Sequence, residues 1–301
     1  MMSLRAIVTA CIAALALASG HSAEARCKDY VPQPKPQNAS RDIVGADIDT
    51  IIDRGYIDVA VYEDFAPWSF ELAGKPAGID VDIANLIAED LGVKARVYLV
   101  AAGENLDADL RNWIWKGPIV GGAVKNVMMH VPYDSDFACR IEQVTFTGTY
   151  HEEGIAIAYS KPAYPDEKPV PAYFRFDTVG VENDSIADFY LTGLLVRSGD
   201  DTIKRYRSTS DAMAALAAGE VMAVMGPKAQ LEYGLTSTTD VHEPPLPNFS
   251  VGKWTVGTAI HFAYKPLSYT VDDIIFSALQ DGRMKAIFDN YGVTLSPPKL
   301  R

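Results

Sequence analysis

Two blocks of alternating strand-like and helix-like segments occur in this 301-residue chain. The first block contains "IDVAVYEDFAPWSFELAGKPAGIDVDIANLIAEDLGVKARVYLV", and the second contains "TVGVENDSIADFYLTGLLV" followed by "STSDAMAALAAGEVMAVMG". Such alternation predicts sheets covered by helices. Because single strands near residues 154–160 and 258–264 separate the blocks, we expect an α/β protein of two lobes joined by two crossing segments. A cleft between two lobes is a common place for a ligand.

Apolar spacing predicts a helix after "FAPWSF", residues 65–70, which we call the aromatic loop. Apolar residues recur there at steps of three and four, which is the period of one helix face. Gly92 is the expected stop of this helix. The apolar positions are Ile79, Ile83, Leu86, Ile87 and Leu91.

The first 25 residues have the pattern of a cleavable signal peptide. Arg5 gives a short basic start, residues 6–18 form an apolar run, and Ala23-Glu24-Ala25 is a small-x-small cleavage site. Residues 26–44 are rich in proline and charge and predict an extended arm. We therefore expect an exported protein, located in a bacterial periplasm, with no membrane insertion after cleavage.

The chain carries a formal net charge of −12. An acidic protein without a Lys/Arg stripe repels phosphate backbones, so nucleic acid is excluded as an expected partner. The acidity is compatible with a cationic protein or ligand as partner.

Two cysteines remain in the exported chain, Cys27 and Cys139. In an oxidising compartment the default expectation is a Cys27–Cys139 disulfide. The other interpretation, two unrelated thiols, stays open.

Four segments together resemble the family 3 periplasmic solute-binding proteins, the type II receptors of ABC transporters. They are "FAPWSFELAGKPAGIDVDIANLIAEDLGV", "TVGVENDSIADFYL", "STSDAMAALAAGEVMAVMG" and "ALQDGRMKAIFDNYG", in the order and spacing of that family. The resemblance implies a discontinuous first lobe made of residues 45–153 and 258–301. Residues 154–257 form the implied second lobe.

A narrower likeness involves "NVMMHVPYDSDF" followed by "TGTYHEEGIAIAY". This pair resembles the "MxVPxD…PYY" segment of the J proteins of methanol-oxidation gene clusters, with "GTY" here in place of "PYY". Those relatives look like receptors but are associated with a periplasmic quinoprotein methanol dehydrogenase. The likeness therefore implies an accessory role beside such a dehydrogenase.

The resemblance assigns candidate ligand contacts in the first lobe to Phe65, Trp68, His130 and Arg140. Phe65 stands where the family stacks an aromatic ring on its ligand, although packing in the core is an equal alternative. Trp68 is the next aromatic candidate, although its position in the family is usually part of the lobe core, and Phe70 is expected in the core. Arg140 precedes Phe146 by six residues, as the family's carboxylate-binding arginine does, although a surface position next to Cys139 is also open. His130 lies on a strand that enters the family's cleft, and simple packing is the alternative.

In the second lobe the resemblance assigns candidate ligand contacts to Glu182 and Ser185. They lie at the turn whose groups bind ligand oxygen atoms in members of the family. Capping of the next helix is the more ordinary role of such a turn. Pro227 stands where amino-acid receptors carry an ammonium-binding aspartate, and proline has no side-chain acceptor. A standard α-amino-acid site is therefore expected to be broken.

No nucleotide, metal or nucleophile motif occurs in the chain, so neither a cofactor nor a metal is expected. The leading hypothesis is a non-catalytic binding protein, acting as an accessory of the dehydrogenase. One alternative is a receptor that delivers a small polar solute to an inner-membrane ABC permease. A further alternative is an enzyme like cyclohexadienyl dehydratase, with His130 and Glu182 as candidate acid and base.

Overall fold

The computed structural model describes residues 44–133, 135–195, 201–249 and 252–299. The predicted signal peptide, the arm up to residue 43 and Cys27 lie outside the described residues. The signal peptide and the Cys27–Cys139 pairing therefore stay predictions. Among the described residues, no helix is both long and apolar enough to cross a membrane.

The described chain alternates strands and helices in the predicted manner. The strands are β1 (Tyr56–Tyr62), β2 (Phe70–Leu72), β3 (Lys75–Ala77), β4 (Lys94–Val100), β5 (Val127–Tyr133), β6 (Val144–Ser160), β7 (Val179–Glu182), β8 (Ile203–Tyr206), β9 (Ala223–Pro227), β10 (Thr239–His242) and β11 (Lys253–His261). The helices are α1 (Ile48–Arg54), α2 (Ile79–Asp90), α3 (Leu106–Leu110), α4 (Ser135–Arg140), α5 (Ile186–Leu195), α6 (Thr209–Ala218), α7 (Lys228–Tyr233), α8 (Lys265–Asp281) and α9 (Arg283–Asn290). A π-helical turn, Arg111–Trp115, continues α3, and a 3₁₀ turn, Pro171–Arg175, precedes β7.

Apart from β2 and β3, which pair with each other as an antiparallel hairpin, the strands form two sheets that share β6. In the first sheet β4, β1 and β5 run parallel, and β11 joins them antiparallel between β5 and the first part of β6. In the second sheet β9, β7 and β8 run parallel, while β9 and β10 pair antiparallel with the second part of β6. We call the parts built around these sheets the first and second lobe.

Strand β6 is 17 residues long and carries the chain from one sheet to the other. Glu153 still pairs with Trp254 in the first sheet, whereas Ile155 pairs with Pro227 in the second. The chain returns through β11, which pairs with strands of the first sheet from Lys253 onward. The two-lobed α/β fold with two crossing segments is therefore confirmed, and the residue bounds proposed for the lobes stay a prediction.

Local sequence signals explain several helix ends. Asp47 caps α1 by accepting a hydrogen bond from the Thr50 N–H at 2.8 Å, and Gly55 ends that helix in the left-handed conformation. Ser208 caps α6 in the same way, through the Asp211 N–H at 3.0 Å. The predicted apolar face of α2 is buried against the first sheet, α8 and α9.

Each sheet has an apolar layer on both faces. One face of the first sheet packs against α2, α8 and α9, and the other packs against α3 and the π-helical turn. In the second lobe, α5 covers one face, while α6 and α7 cover the other. Burial on both faces explains the nearly continuous apolar runs of the inner strands β5 and β9, whereas the edge strands β4 and β8 carry charged residues.

The loop between β1 and α2 depends on a close backbone approach at Gly78. Gly78 has φ +126°, and a Cβ atom there would overlap the Trp68 carbonyl oxygen and lie 2.9 Å from the Pro67 carbonyl oxygen. The Ile79 and Asp80 N–H groups donate to the Pro67 and Trp68 carbonyls, each at 2.9 Å. Glycine at this position therefore lets α2 begin directly against the aromatic loop.

We expect Gly78→Ala to lower the free energy of unfolding by at least about 3 kcal/mol, because it adds backbone overlap to an unfavourable φ. Gly74→Ala is the matched control, since Gly74 has φ +77° but no neighbouring atom within 4 Å of an added Cβ. The control should cost about 1–2 kcal/mol. Urea unfolding of both variants measures the difference, and equal losses would contradict the role assigned to Gly78.

Candidate functional site

The aromatic loop ends in a tight turn at the edge of the first lobe. The Phe65 N–H donates to the Ser69 carbonyl at 2.8 Å, and the Ser69 N–H donates to the Phe65 carbonyl at 3.0 Å. Phe65 is half-buried, and its ring lies edge-on to the His130 ring at 4.9 Å. Of the three aromatics in this loop, Phe65 combines partial exposure with direct contact to a polar group.

Trp68 is in the core, which corrects the expectation that its ring contacts a ligand. The ring lies 4.4 Å from His130, 5.4 Å from His151 and 5.8 Å from Phe288, measured between ring centres. Its exposed fraction is 0%. A side chain without accessible surface cannot contact a solute in this arrangement of the lobes.

Phe70, expected in the core, is half-buried at the start of β2 and reaches the other lobe. Its ring centre lies 6.2 Å from that of Tyr233, at the end of α7. Tyr233 in turn lies 6.5 Å from Tyr291 of the first lobe. These rings form an aromatic contact between the lobes.

Behind Phe65 lies a buried polar group made of Asp80, His130 and Tyr150. The Tyr150 hydroxyl donates to Asp80 Oδ1 at 2.6 Å and accepts a hydrogen bond from the His130 backbone N–H at 3.1 Å. His130 Nδ1 lies 3.3 Å from Asp80 Oδ2. Burial and the Asp80 carboxylate raise the pKa of Tyr150 well above its ordinary value, so the phenol stays protonated and donates.

Two irregularities in neighbouring strands bring these side chains together. The β5–β11 register shifts opposite residues 129–130, and His130 adopts φ +57°. The β6–β11 register shifts between Thr147 and His151, where Gly148 has φ +55°. Such bulges change the direction in which side chains point, and they are common beside functional sites.

Asp80 and Tyr150 are not among the site residues predicted from the sequence. Asp80 is completely buried, and it occupies the same helix face as Ile83, Ile87 and Leu91. An acidic residue at an apolar position of a helix is an unusual signal, because a buried carboxylate needs hydrogen-bond partners. That signal was available in the sequence. Tyr150 belongs to the "GTY" segment, and the motif likeness assigns no role to its side chain.

His151 and Glu153 extend this group along β6. Burial lowers the pKa of His151 to about 3, with smaller contributions from His130 and Lys228, so its ring is neutral at neutral pH. The neutral ring accepts a hydrogen bond from the Ser296 N–H at 3.2 Å and thereby holds the C-terminal segment. Burial also raises the pKa of Glu153, to about 7.

In the second lobe Glu182 and Ser185 make contacts within the lobe itself. Glu182 Oε2 accepts hydrogen bonds from the Thr209 N–H at 2.9 Å and the Thr209 hydroxyl at 2.8 Å, at the first turn of α6. Ser185 Oγ accepts from the Asp188 N–H at 3.2 Å, at the first turn of α5. Ser185 therefore has the capping contact with the next helix that the sequence offered as the ordinary role of this turn. Glu182 instead binds the first turn of α6, a contact that the sequence did not indicate.

Arg140 lies on the surface at the end of α4. Its guanidinium carbon is 5.5 Å from the centre of the Phe137 ring, and that ring packs on Phe146. Phe137 and Phe146 belong to the layer on the side of the sheet opposite α2 and α8. The structure does not bring Arg140 together with Phe65 and His130.

Pro227 ends β9 and directly precedes α7. The next residue, Lys228, forms ion pairs with Glu243 at 3.0 Å and Glu232 at 3.8 Å. The position of the expected ammonium-binding acid therefore has no side-chain acceptor. Among the described residues, no group of three His, Cys, Asp or Glu side chains is arranged to hold a metal ion.

Residues 57–111 match the family model of bacterial extracellular solute-binding proteins, family 3. The predicted resemblance to this family is confirmed. The matched residues run from β1 to the π-helical turn and include the aromatic loop and α2. A search of curated protein sequences gives no significant match.

Solved structures of amino-acid-binding proteins have the same fold. An ancestral cationic amino acid solute-binding protein is 18% identical, with a TM-score of 0.67 over 81% of this chain and 98% of that one. An L-arginine-bound substrate-binding protein of an amino acid ABC transporter from Streptococcus pneumoniae is 19% identical, with a TM-score of 0.58 over 83% and 99%. Substrate-binding domain 2 of GlnP from Lactococcus lactis, in an open conformation, is 19% identical, with a TM-score of 0.59 over 79% and 95%. At these identities the likeness shows the fold.

We expect Tyr150→Phe to lower the free energy of unfolding by about 2–3 kcal/mol, because it leaves the Asp80 carboxylate and the His130 N–H buried without their shared partner. Tyr173→Phe is the control, since it removes a solvent-exposed hydrogen bond of 2.7 Å to Glu167. The control should change stability by no more than about 0.5 kcal/mol. Thermal unfolding of both variants gives the comparison, and similar small losses would show that the buried group contributes little.

Proposed function

We propose that this protein is a non-catalytic binding protein of the periplasm whose cleft does not hold a free α-amino acid in the standard way. The observation that carries this proposal is the use of Glu182 and Ser185 as helix caps within the second lobe. Pro227 offers no acceptor for an ammonium group, and Arg140 lies on the surface. The contacts that the family resemblance implies for both ends of an amino acid are thus missing or already engaged.

We further propose that the protein works as an accessory of a periplasmic quinoprotein dehydrogenase. This step rests on the likeness of "NVMMHVPYDSDF" and "TGTYHEEGIAIAY" to the J proteins. Both segments contribute to the buried group, through His130 and Tyr150. A packed, hydrogen-bonded interior at these positions suits a protein that presents a fixed surface to a partner.

The transport alternative keeps its support from the fold. The Streptococcus pneumoniae neighbour is described as a substrate-binding protein of an amino acid ABC transporter. A receptor for a small polar solute other than an amino acid is compatible with partly exposed Phe65 at the cleft. Binding of such a solute, together with a permease partner, would favour this alternative over the accessory role.

The enzyme alternative has weaker support. One structure of the ancestral neighbour is described as a precursor of cyclohexadienyl dehydratase. The candidate acid and base, however, have different partners, because Glu182 binds Thr209 in the second lobe while His130 lies against Asp80 in the first. Turnover of prephenate or arogenate would contradict the non-catalytic proposal.

Isothermal titration calorimetry with arginine, lysine, glutamine, histidine and glutamate tests the broken amino-acid site. We expect no binding tighter than about 1 mM, a limit that corresponds to roughly 4 kcal/mol. An established amino-acid receptor of the same fold, titrated in parallel, serves as the positive control. Micromolar binding of any of these amino acids would overturn this part of the proposal.

The accessory role is tested with purified components. The mature protein is mixed with a purified quinoprotein methanol dehydrogenase, and native mass spectrometry is recorded with and without added salt. We expect a defined complex with the dehydrogenase and none when a conventional amino-acid receptor replaces this protein. Absence of a complex, combined with an unchanged content of active dehydrogenase when the gene is deleted, would contradict the accessory role.

A further inference from the structure

Glu153 occupies the point where β6 passes from one lobe to the other. Its backbone pairs with Trp254 in the first sheet, and two residues later Ile155 pairs with Pro227 in the second. A change in the angle between the lobes must pass through this part of the chain, since β6 is one of the two crossing segments.

The Glu153 carboxyl group is buried and only half satisfied. Only 1% of the surface of Glu153 is exposed. Oε1 accepts hydrogen bonds from the Gly154 N–H at 2.8 Å and the Ala229 N–H at 3.4 Å. Oε2 is shielded from solvent and has no hydrogen-bond partner among the residues described. Burying a carboxylate oxygen without a hydrogen-bond partner costs free energy. Burying the protonated carboxyl group in the same place costs much less, because it carries no charge.

The second partner, Ala229, belongs to a helix of the second lobe that is seated on the first. Ala229 itself is buried in the apolar layer formed by α2, α8 and α9. Gln230 Nε2 donates to the Ala66 carbonyl at 3.4 Å, and Glu232 Oε2 accepts from the Thr294 N–H at 2.7 Å. Helix α7 therefore holds the lobes together directly beside Glu153.

Burial dominates the protonation of Glu153. It raises the pKa to about 7, against the lowering effect of the Gly154 and Ala229 N–H groups and of His130 on β5. Glu232 on α7 adds a smaller raising effect.

The other charged and titratable groups near this point are already engaged. Lys228 on α7 pairs with Glu243, Asp80 on α2 is bonded to Tyr150, and His151 on β6 accepts from Ser296. Among the described residues, no ion pair to Glu153 is present that would stabilise its carboxylate form.

We propose that Glu153 makes the packing of α7 against the first lobe proton-dependent. The carboxylic acid form stabilises the packed arrangement, and the carboxylate form favours separation of α7, which admits water to Oε2. The group has a raised pKa when packed and an ordinary one when hydrated. The packed arrangement is therefore fully stabilised below the ordinary pKa and loses stability as pH rises towards the packed-state value. This inference does not depend on the proposed ligand or partner.

Hydrogen–deuterium exchange of the full mature protein tests the inference on a peptide covering residues 226–234. The measured exchange rate of this peptide is divided by its intrinsic chemical rate at each pH. As pH rises, the corrected rate should increase by up to about tenfold per pH unit and then become constant above about pH 7. Glu153→Gln should remove this dependence, because the amide keeps the Oε1 acceptor without a titrating proton. A peptide from α6 in the same samples should show no such step.

Glu152→Gln is the matched control, since it removes one carboxylate from the adjacent, less buried position. It should keep the wild-type profile. A flat wild-type profile would overturn the inference, as would a Glu153→Gln profile with the same step. Circular dichroism of each variant establishes that it is folded before exchange is measured.

Discussion

The structure depends on one strand that belongs to two sheets. β6 supplies backbone hydrogen bonds to β11 in the first lobe and to β9 and β10 in the second, so neither sheet is complete without it. Tyr150, His151 and Glu153 lie on this shared strand, and each has a partner from another element, namely Asp80, Ser296 and Ala229. Of these contacts, the one between Glu153 and Ala229 joins the two lobes. This hydrogen bond therefore depends on the relative position of the lobes, whereas the other two lie within the first lobe.

Much of the fold was predictable from the sequence because its signals are local. The apolar spacing of α2, the Ser208 cap of α6 and the glycine that ends α1 act within a few residues. The order of strands and helices then restricts the topology strongly. The burial of Trp68 was not predictable from such local signals. Its burial depends on Phe288, a residue more than two hundred positions away, and a loop of three aromatics does not reveal which ring will be covered.

The candidate site was predicted only in part, for the same reason. His130 and Phe65 lie together in the first lobe, and a ligand contact by either residue stays a prediction. Arg140, Glu182 and Ser185 were assigned by resemblance, and resemblance does not report whether a side chain is used by its own helix or sheet. The hydrogen bond between Asp80 and Tyr150 joins residues 70 positions apart, and it requires bulges that leave no clear sequence signal except Gly148. Asp80 on an apolar helix face was the one clue to this group.

The pairing of β6 with β11 also has a consequence for the order of folding. The second lobe is continuous between these two strands, whereas the first lobe lacks β11, α8 and α9 until the chain has emerged almost completely. Contacts between distant parts of a chain form slowly, because the loop that connects them must close first. A chain that emerges from its N-terminus onwards would therefore complete the second lobe early. Until the last segment arrives, the β5 edge of the first sheet, the first part of β6 and the apolar face of α2 stay uncovered. In this interval the protein is most open to aggregation or to protection by a chaperone.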